Sequence, residues 1–293
     1  MNTDTTLLER TKDKRPLLEG LSADARRTSR PSILMCAPEH YDIEYEINPW
    51  MHEENPVIPN LAAAQWSDLR GIYMQRLGWD VRLVEPVAGL PDMVFTANGG
   101  FVLGDKVMLP HFRHPDRQGE TARFEAWYKS AGYREIVMPK YDNEGEGDVL
   151  LWNDVLFAGY PWRSDRASHK ELAEFFGLRV VSLQLIDARF YHLDTAFTVI
   201  DSSTVALYPK AFTEESIAAV RKLVPTVIEA TDDDALAYGL NAMSDGGTIV
   251  MPSGAAHLAG EYRARGLSVI ETSISEYQKA GGGVKCLTLV LHE

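Results

Sequence analysis

The sequence predicts an α/β fold in which five ββαβ units form a ring, a five-bladed α/β propeller with pseudo-fivefold symmetry. A polar or reactive residue recurs just inside successive strand-like runs, and the same order of elements repeats between these residues. The recurring residues are Asn98, Asp148, Asp194, Asn241 and Cys286, which lie 50, 46, 47 and 45 positions apart. A fixed period of this length is typical of repeat and propeller folds. We expect a ring to bring these side chains together at its centre, a layout typical of an enzyme.

Each predicted unit contains a strand, a tight turn, a second strand, an amphipathic helix and a return strand that follows a glycine in most units. In the clearest copy, residues 248–251 form a strand, 255–265 a helix that Gly266 ends, and 267–271 the return strand. The other predicted helices are 61–77, 122–131, 168–176 and 214–223, and their return strands are 81–84, 135–138, 180–183 and 226–229. A doubly wound open sheet also alternates strands and helices. That alternative does not require a polar residue at the same point of every unit.

Composition restricts the class of protein. The chain has 293 residues, a formal net charge of -13 and 45% hydrophobic residues. The negative charge argues against nucleic acid or an anionic membrane as a partner, because their phosphates would repel it. Two cysteines form no disulfide framework, and no apolar run is long enough for a membrane span, so we expect a cytoplasmic protein. Metal-ligand and nucleotide-binding motifs are missing from the sequence, so no metal and no cofactor are expected.

Residues 1–30 are polar and show little apolar periodicity. We predict that they form a mobile arm with a short helix around residues 17–26. The globular part begins with the apolar strand after Ser32, and residues 31–293 are expected to form a single catalytic domain.

A cysteine and a histidine are the candidates for covalent chemistry. Cys286 follows three glycines and Lys285, whereas Cys36 lies in an apolar strand and is expected to be structural. His192 and Asp194 are two positions apart on a predicted strand and would point to the same face, where the carboxylate can orient the ring for acid–base work. The other seven histidines have no such partner in the sequence.

The motif Glu-Gly-Glu-Gly-Asp (residues 144–148) places three carboxylates at alternate positions in a stretch predicted to be flexible. A solvated acidic loop is the simpler interpretation. The motif leads directly into an apolar strand, however, so at least Asp148 is expected to approach the centre of the ring. Paired carboxylate oxygens match the forked donors of a guanidinium cation.

Four motifs, taken in this order, resemble the guanidino-group-modifying enzymes. They are Leu-Pro-Asp-Met-Val-Phe-Thr-Ala-Asn (90–98), Glu-Gly-Glu-Gly-Asp (144–148), Phe-Tyr-His-Leu-Asp-Thr (190–195) and the cysteine preceded by glycines. This superfamily includes arginine deiminases, dimethylarginine dimethylaminohydrolases, amidinotransferases and arginine dihydrolases. The resemblance covers residues 32–293 and implies the pentein fold of five ββαβ modules.

The resemblance implies roles for individual residues. Cys286 matches the nucleophile and His192 the general acid and base, while Glu144 and Asp194 match carboxylates that bind the guanidinium. Arg117 lies where the family binds the α-carboxylate of the substrate. The spacing of the 144–148 motif leaves Glu146 as the alternative to Glu144. The remaining substrate-binding candidates are Asn98, Asp148, Asn48, Asp92 and Asn241.

The resemblance also implies a small cationic guanidino substrate and a homodimer. Asn98 stands where many deiminases and dimethylargininases have Asp, and together with Asn48 it is similar to the arginine dihydrolases. We therefore predict hydrolysis of arginine to ornithine, ammonia and carbon dioxide. A dimethylargininase, a deiminase and an amidinotransferase remain the alternatives. A ribosome-binding pentein is the non-enzymatic alternative, and it would lack the combined Cys, His and carboxylate set.

Overall fold

The computed structural model describes residues 30–293. The predicted mobile arm and its helix around residues 17–26 lie outside the described residues. The strands are β1 (Ser32–Cys36), β2 (Asp80–Val84), β3 (Phe101–Leu103), β4 (Lys106–Met108), β5 (Glu135–Val137), β6 (Val149–Trp152), β7 (Val155–Tyr160), β8 (Arg179–Gln184), β9 (Phe197–Val199), β10 (Thr204–Leu207), β11 (Thr226–Glu229), β12 (Met243–Ser244), β13 (Thr248–Pro252), β14 (Ser268–Thr272) and β15 (Leu289–His292). The longer helices are Pro59–Gly71, Glu120–Ala131, Ser168–Phe176, Glu214–Leu223 and Ala256–Ala264, and shorter ones are Pro115–Gln118, Asp232–Leu236 and Ser275–Gln278.

One pairing pattern occurs five times between residues 30 and 293. In β6-β7-β8, the middle strand runs antiparallel to the strand before it and parallel to the strand that returns after the helix. The same pattern holds for β9-β10-β11, β12-β13-β14 and β3-β4-β5. The fifth unit combines both ends of the described chain, because β15 is antiparallel to β1 and β1 is parallel to β2.

These units give a mixed α/β fold. β15 also pairs in parallel with β3, which joins two units into the six-stranded sheet β2-β1-β15-β3-β4-β5. The other three units are separate three-stranded sheets. Strand pairing therefore repeats the predicted unit and differs from one doubly wound parallel sheet. It does not by itself close the sheets into a ring.

Local sequence explains the unit boundaries. The helix Ser168–Phe176 buries Leu172 and Phe176 on one side and ends at Gly177, whose φ of 70° favours glycine. The helix Glu214–Leu223 begins after Thr213, whose side chain accepts a hydrogen bond from the amide of Ser216. Predicted and observed bounds of these two helices agree. The predicted helix 61–77 begins two residues earlier and continues from residue 72 as a π-helical turn.

The sequence suggested that the five recurring polar residues lie just inside strands, and this is wrong. They lie in buried turns directly before the first strand of each unit. Asn98 belongs to the 3₁₀ turn Thr96–Gly99, Asp194 to Leu193–Thr195, and Asp148 follows Gly145–Gly147. Asn241 and Cys286 precede β12 and β15 in the same way. The turns are closed by local backbone hydrogen bonds, such as that from Asp148 N to Gly145 O, and each leads within a few residues into a short strand.

Two further expectations are corrected by this arrangement. His192 and Asp194 are not alternate residues of one strand, because a 3₁₀ turn begins directly after His192. The 144–148 motif is not a solvated loop, since Glu144, Glu146 and Asp148 are all buried. Among the described residues, no helix is both long and apolar enough to cross a bilayer.

Candidate active site

The thiol of Cys286 lies at the centre of a buried polar cluster. Asn241 holds it on both sides: the Asn241 Oδ1 accepts from the Cys286 amide at 3.0 Å, and the Asn241 Nδ2 donates to the Cys286 Sγ at 3.1 Å. The same amide nitrogen donates to the backbone oxygen of Asp194 at 3.1 Å. A side chain at Gly283 would collide with Asn241, which explains the last of the three glycines. Asn241 therefore braces the cysteine, which differs from the predicted contact with substrate.

Asp194 is the carboxylate nearest to this thiol. The Cys286 Sγ donates to the Asp194 Oδ2 at 3.3 Å, while the Asp194 Oδ1 is buried and has no hydrogen-bond partner among the described residues. Burial raises the pKa of Asp194 to about 7, although the Lys285 ammonium opposes the rise. Burial and the Asp194 carboxylate together raise the pKa of the Cys286 thiol well above its usual range. This environment favours a neutral thiol.

His192 pairs with Glu144 rather than with Asp194. The His192 Nε2 lies 2.8 Å from the Glu144 Oε2, and Arg163 donates to the same oxygen at 3.2 Å. Burial would raise the pKa of Glu144, but Arg163 and His192 hold it well below its usual range. A methyl group at Gly147 would collide with the Asn98 amide and lie 3.2 Å from the His192 Cγ. Glycine at this position therefore leaves room for both the Asn98 amide and the imidazole.

Asn98 and Arg117 belong to a chain of hydrogen bonds at the other side of the site. The Asn98 Nδ2 donates to the Glu144 backbone oxygen at 3.1 Å, and the Asn98 Oδ1 accepts from the Arg117 Nη1 at 2.8 Å. Arg117 also makes a two-pronged ion pair with Glu120, at 2.7 and 2.8 Å, and donates to the Asp92 backbone oxygen at 3.1 Å. Asp92 itself is buried, and its Oδ2 lies 3.7 Å from the Arg117 Nε.

Arg117 has several partners within the protein, and its predicted contact with the α-carboxylate of the substrate stays a prediction. Its guanidinium is 3% exposed, and every nitrogen donates to Glu120, Asn98 or Asp92. Through Nη1, Arg117 orients the Asn98 amide.

The remaining predicted residues have different neighbours. The Asp148 oxygens accept from the Ser164 hydroxyl at 2.6 Å and the Leu193 amide at 3.1 Å, so Asp148 links two turns rather than offering a free carboxylate. Burial raises its pKa to about 6. The Asn48 Oδ1 accepts from the Trp50 amide at 2.9 Å, and its Nδ2 donates to the Ala280 oxygen at 3.0 Å, which ties the 37–58 loop to the glycine-rich segment. Glu146 contacts Lys285 in the turn formed by residues 284–287, which carries Cys286 and is called the cysteine turn below.

Sequence reasoning missed Arg163, Ser164 and Glu120. The antiparallel register of β6 and β7 pairs Val149 with Ala158. Residues that follow β7 must therefore lie beside residues that precede β6, which brings Arg163 and Ser164 against the 144–148 motif. The polar Arg-Ser pair directly after the second strand was an available signal. Glu120, three residues after Arg117, was another.

One group in the described residues has the donor types of a metal site. Glu46, His52 and Glu54 place one ligand atom each within 4.8 Å of one another on the exposed 37–58 loop. These atoms are separate from the cysteine cluster, and the described geometry does not connect them to its chemistry.

Comparison with known proteins agrees with this site. The family model of the eukaryotic N,N-dimethylarginine dimethylhydrolase matches residues 31–293. A dimethylarginine dimethylaminohydrolase of Mycobacterium tuberculosis is 44% identical over 273 residues, which cover 93% of this chain and 90% of the relative. The chain belongs to this family. It is a hydrolase of carbon–nitrogen bonds in guanidino compounds.

Arginine dihydrolases are similar to the chain as well. A bifunctional arginine dihydrolase/ornithine cyclodeaminase of Nostoc sp. is 40% identical over 272 residues, which cover 91% of this chain and 38% of that protein. The product-bound N-terminal domain of ArgZ, a cyanobacterial arginine dihydrolase, superposes with a TM-score of 0.86 at 39% identity, over 90% of this chain and 98% of that domain. The chain is thus a guanidino hydrolase of the dimethylargininase or arginine dihydrolase type, and its fold is theirs.

Proposed function

We propose that this enzyme hydrolyses arginine twice at one site, giving ornithine, two molecules of ammonia and carbon dioxide through covalent adducts on Cys286. The observation that carries the proposal is the position of Asp194, which contacts the thiol and has an unoccupied carboxylate oxygen. A guanidinium bound there presents its central carbon to the Cys286 sulfur.

A comparison of the cations around each buried carboxylate supports Asp194 as the guanidinium site. Arginine or lysine nitrogens lie within 4 Å of Glu144, Asp92, Glu120 and Glu146. Asp148 has no such cation, but both of its oxygens accept neutral donors. Among the described carboxylates of the site, Asp194 alone combines a free oxygen with the absence of a basic side chain in contact. An unpaired buried carboxylate is costly, and a cationic substrate removes that cost.

The same comparison explains how the thiol becomes a nucleophile. A cation at Asp194 cancels the negative charge that opposes thiolate formation, so substrate binding favours loss of the thiol proton. The thiol proton passes to His192, and the thiolate attacks the guanidinium carbon. The carbon–nitrogen bond then breaks as His192 gives this proton to the nitrogen that leaves as ammonia. His192 next takes a proton from water, which cleaves the carbon–sulfur bond and releases a ureido product. Glu144 holds the imidazole through Nε2, and Nδ1 makes no hydrogen bond to a described residue.

Asn98 supports the second hydrolysis. The ureido product is neutral, and a site lined by several free carboxylates would reject it. Here the residue beside His192 is a neutral amide, and burial raises the pKa of Asp194 to about 7. Near neutral pH Asp194 therefore accepts a cation when ionised and donates to a ureido oxygen when protonated. In the second cycle the ureido group loses its remaining terminal nitrogen as ammonia, and water releases a carbamate that decomposes to ornithine and carbon dioxide.

A dimethylargininase is the second candidate, and the 44% identity to the mycobacterial relative favours it. This enzyme would use the same first cycle on a methylated arginine, with an alkylamine as the leaving group and citrulline as the product. The two candidates differ in the room around the leaving nitrogen and in the binding of the neutral product.

We also propose that the five units form a ring around this site and that residues 31–293 are one catalytic domain. The repeated position of the five buried turns supports this arrangement, because each turn contributes a side chain to one polar cluster. Hydrogen bonds connect Asn98 to Glu144, Asp148 to Leu193, and Asn241 to Cys286.

The proposed function is tested with arginine, monomethylarginine and asymmetric dimethylarginine as separate substrates, and products are identified by mass. We expect ornithine and two equivalents of ammonia from arginine, with citrulline as a transient intermediate. Citrulline offered alone should also give ornithine. If arginine is left intact and dimethylarginine gives citrulline and dimethylamine, the dimethylargininase assignment replaces the dihydrolase.

A further inference from the structure

Directly beneath the cysteine turn lies a buried cluster of charge that the proposed mechanism does not use. The Lys285 Nζ donates to the Glu146 Oε2 at 2.8 Å and to the Thr288 backbone oxygen at 2.9 Å. Glu146 Oε2 also accepts from the Val290 amide at 2.8 Å, and the His292 Nε2 lies 2.7 Å from Glu146 Oε1. Lys285 and Glu146 are 5% and 1% exposed.

The cluster explains the spacing of the 144–148 motif. Its three carboxylates point to three places: Glu144 to His192, Glu146 to Lys285 and Asp148 to the Leu193 amide. The three residues between Glu144 and Asp148 therefore include a carboxylate, Glu146, that reaches Lys285, the residue before the nucleophile. Glu146 is not a second version of Glu144.

We propose that the Glu146–Lys285 pair, completed by His292, is a positioning network that fixes the cysteine turn and sets the charge of Asp194. This inference rests on the proposed function, in which Asp194 binds the guanidinium.

Geometry supports the first part of the proposal. Lys285 is held in the turn by its backbone: its amide donates to the backbone oxygen of Asn241 at 3.2 Å, and its backbone oxygen accepts from the Thr288 amide at 2.8 Å. Anchoring the Lys285 side chain on Glu146 thus ties the cysteine turn to the 145–147 turn. A buried ion pair with additional hydrogen bonds holds a unique arrangement, since the loss of either partner leaves a charge without compensation.

Electrostatics supports the second part. The charged and titratable groups that face Asp194 are Lys285 and Cys286 on the cysteine turn and Glu146 on the 145–147 turn. Tyr191 faces Asp194 from its own segment. Burial raises the pKa of Asp194 most, Lys285 lowers it and Glu146 raises it. The ammonium is held by Glu146 and does not contact Asp194, so it favours the carboxylate without occupying the guanidinium site.

Two substitutions test the network because they change the charge in opposite directions. KM should rise at low pH, where Asp194 becomes protonated. Lys285→Met removes the cation and should raise the midpoint pH of this rise by about one unit. Glu146→Gln keeps the shape of the side chain but removes the anion, and should shift the same rise downward. The double variant should return the midpoint close to that of the wild-type enzyme. The substrate is the guanidino compound that the wild-type enzyme turns over.

Lys279→Met is the matched control. Lys279 makes a partly buried ion pair with Glu276 at 2.7 Å, in the segment before the three glycines. Its loss should leave the midpoint of the KM profile unchanged. If these substitutions only loosened the packing, kcat or stability would fall in Lys285→Met, Glu146→Gln and Lys279→Met, without opposite shifts of the KM midpoint.

Shifts in the same direction, or no shift in a folded Glu146→Gln enzyme, would overturn the network. The conservative Glu146→Gln change keeps this test usable where Lys285→Met does not fold. Arginine binding to Cys286→Ser variants of each protein, measured by calorimetry against pH, gives the same midpoint without turnover.

If the wild-type enzyme hydrolyses no guanidino compound and its Cys286→Ser variant does not bind arginine, the proposed function fails and the inference falls with it. Turnover without opposite shifts defeats the inference alone.

Discussion

The two sides of the site treat charge differently. Around Arg117, the guanidinium is neutralised within the protein by Glu120 and Asp92 and is bonded to Asn98. Around Cys286, the Asp194 carboxylate has no basic side chain in contact among the described residues and has a free oxygen. The Arg117 cation is compensated within the protein, whereas the proposed function assigns the cation of the substrate to Asp194. Substitutions should therefore affect stability on one side and substrate binding on the other.

The largest effect is expected for the nucleophile. Cys286→Ser should lower kcat by at least about a thousandfold, because a hydroxyl in this anionic environment does not replace a thiolate. The melting temperature should change little, since Ser retains a donor toward Asp194. Full activity in the purified variant would refute covalent catalysis by Cys286.

Asp194→Asn should separate binding from stability. Loss of the carboxylate that is proposed to bind the guanidinium should raise KM by roughly a hundredfold, within the 2–5 kcal/mol that a buried charge contact is worth. The melting temperature at pH 8 should rise, because the variant no longer buries an unpaired charge. An unchanged KM would place the guanidinium elsewhere.

Arg117→Met should give the opposite result. It leaves Glu120 and Asp92 buried without their cation, which should cost about 3–5 kcal/mol of unfolding free energy. Chemical denaturation measures this cost. A stable variant with a selective rise in KM would instead support the predicted contact between Arg117 and the substrate.

Asn98→Asp should change the products. The carboxylate would face the Glu144 backbone oxygen and would discriminate against a neutral ureido group. We expect citrulline to accumulate from arginine while ornithine formation falls more steeply, as measured by mass. If both products fall in parallel, Asn98 acts only in the structure of its turn.

The smallest effect concerns stability against pH. Folding raises the pKa of Asp194 to about 7 from 3.8, so this group stabilises the protein fully below its ordinary value and loses that contribution as the pH rises through about 7. A bound cation recovers the loss. Arginine should therefore raise the melting temperature of the Cys286→Ser variant more at pH 8 than at pH 5. An equal increase at both values would show that Asp194 does not control binding.

Much of the fold and part of the site were accessible to the sequence. Helical periodicity gave the helices 168–176 and 214–223 with the bounds observed, and Gly177 marks the end of the first. The fifty-residue spacing found the five positions that enter the cluster. The error lay in the elements that carry them, since a 3₁₀ turn of three or four residues just before a strand is too short to show a period of its own.

Partners across the site were beyond reach for a different reason. The spacing of His192 and Asp194 favoured a local pair, but the imidazole bonds to Glu144, 48 residues away. The i,i+3 spacing of Arg117 and Glu120 indicated one partner of Arg117, but nothing local indicated the contact with Asn98, 19 residues earlier.

The sequence by itself determined which residue types occur at which period, because hydrophobic patterning and turn chemistry are local properties. It thereby determined the repeated α/β unit and the presence of a thiol, an imidazole and several carboxylates in the recurring segments. Only the tertiary structure decided which carboxylate meets which cation. Burial makes an uncompensated charge costly, so the pairing of Glu144, Glu146 and Glu120 within the protein supports the proposal that Asp194 binds the substrate.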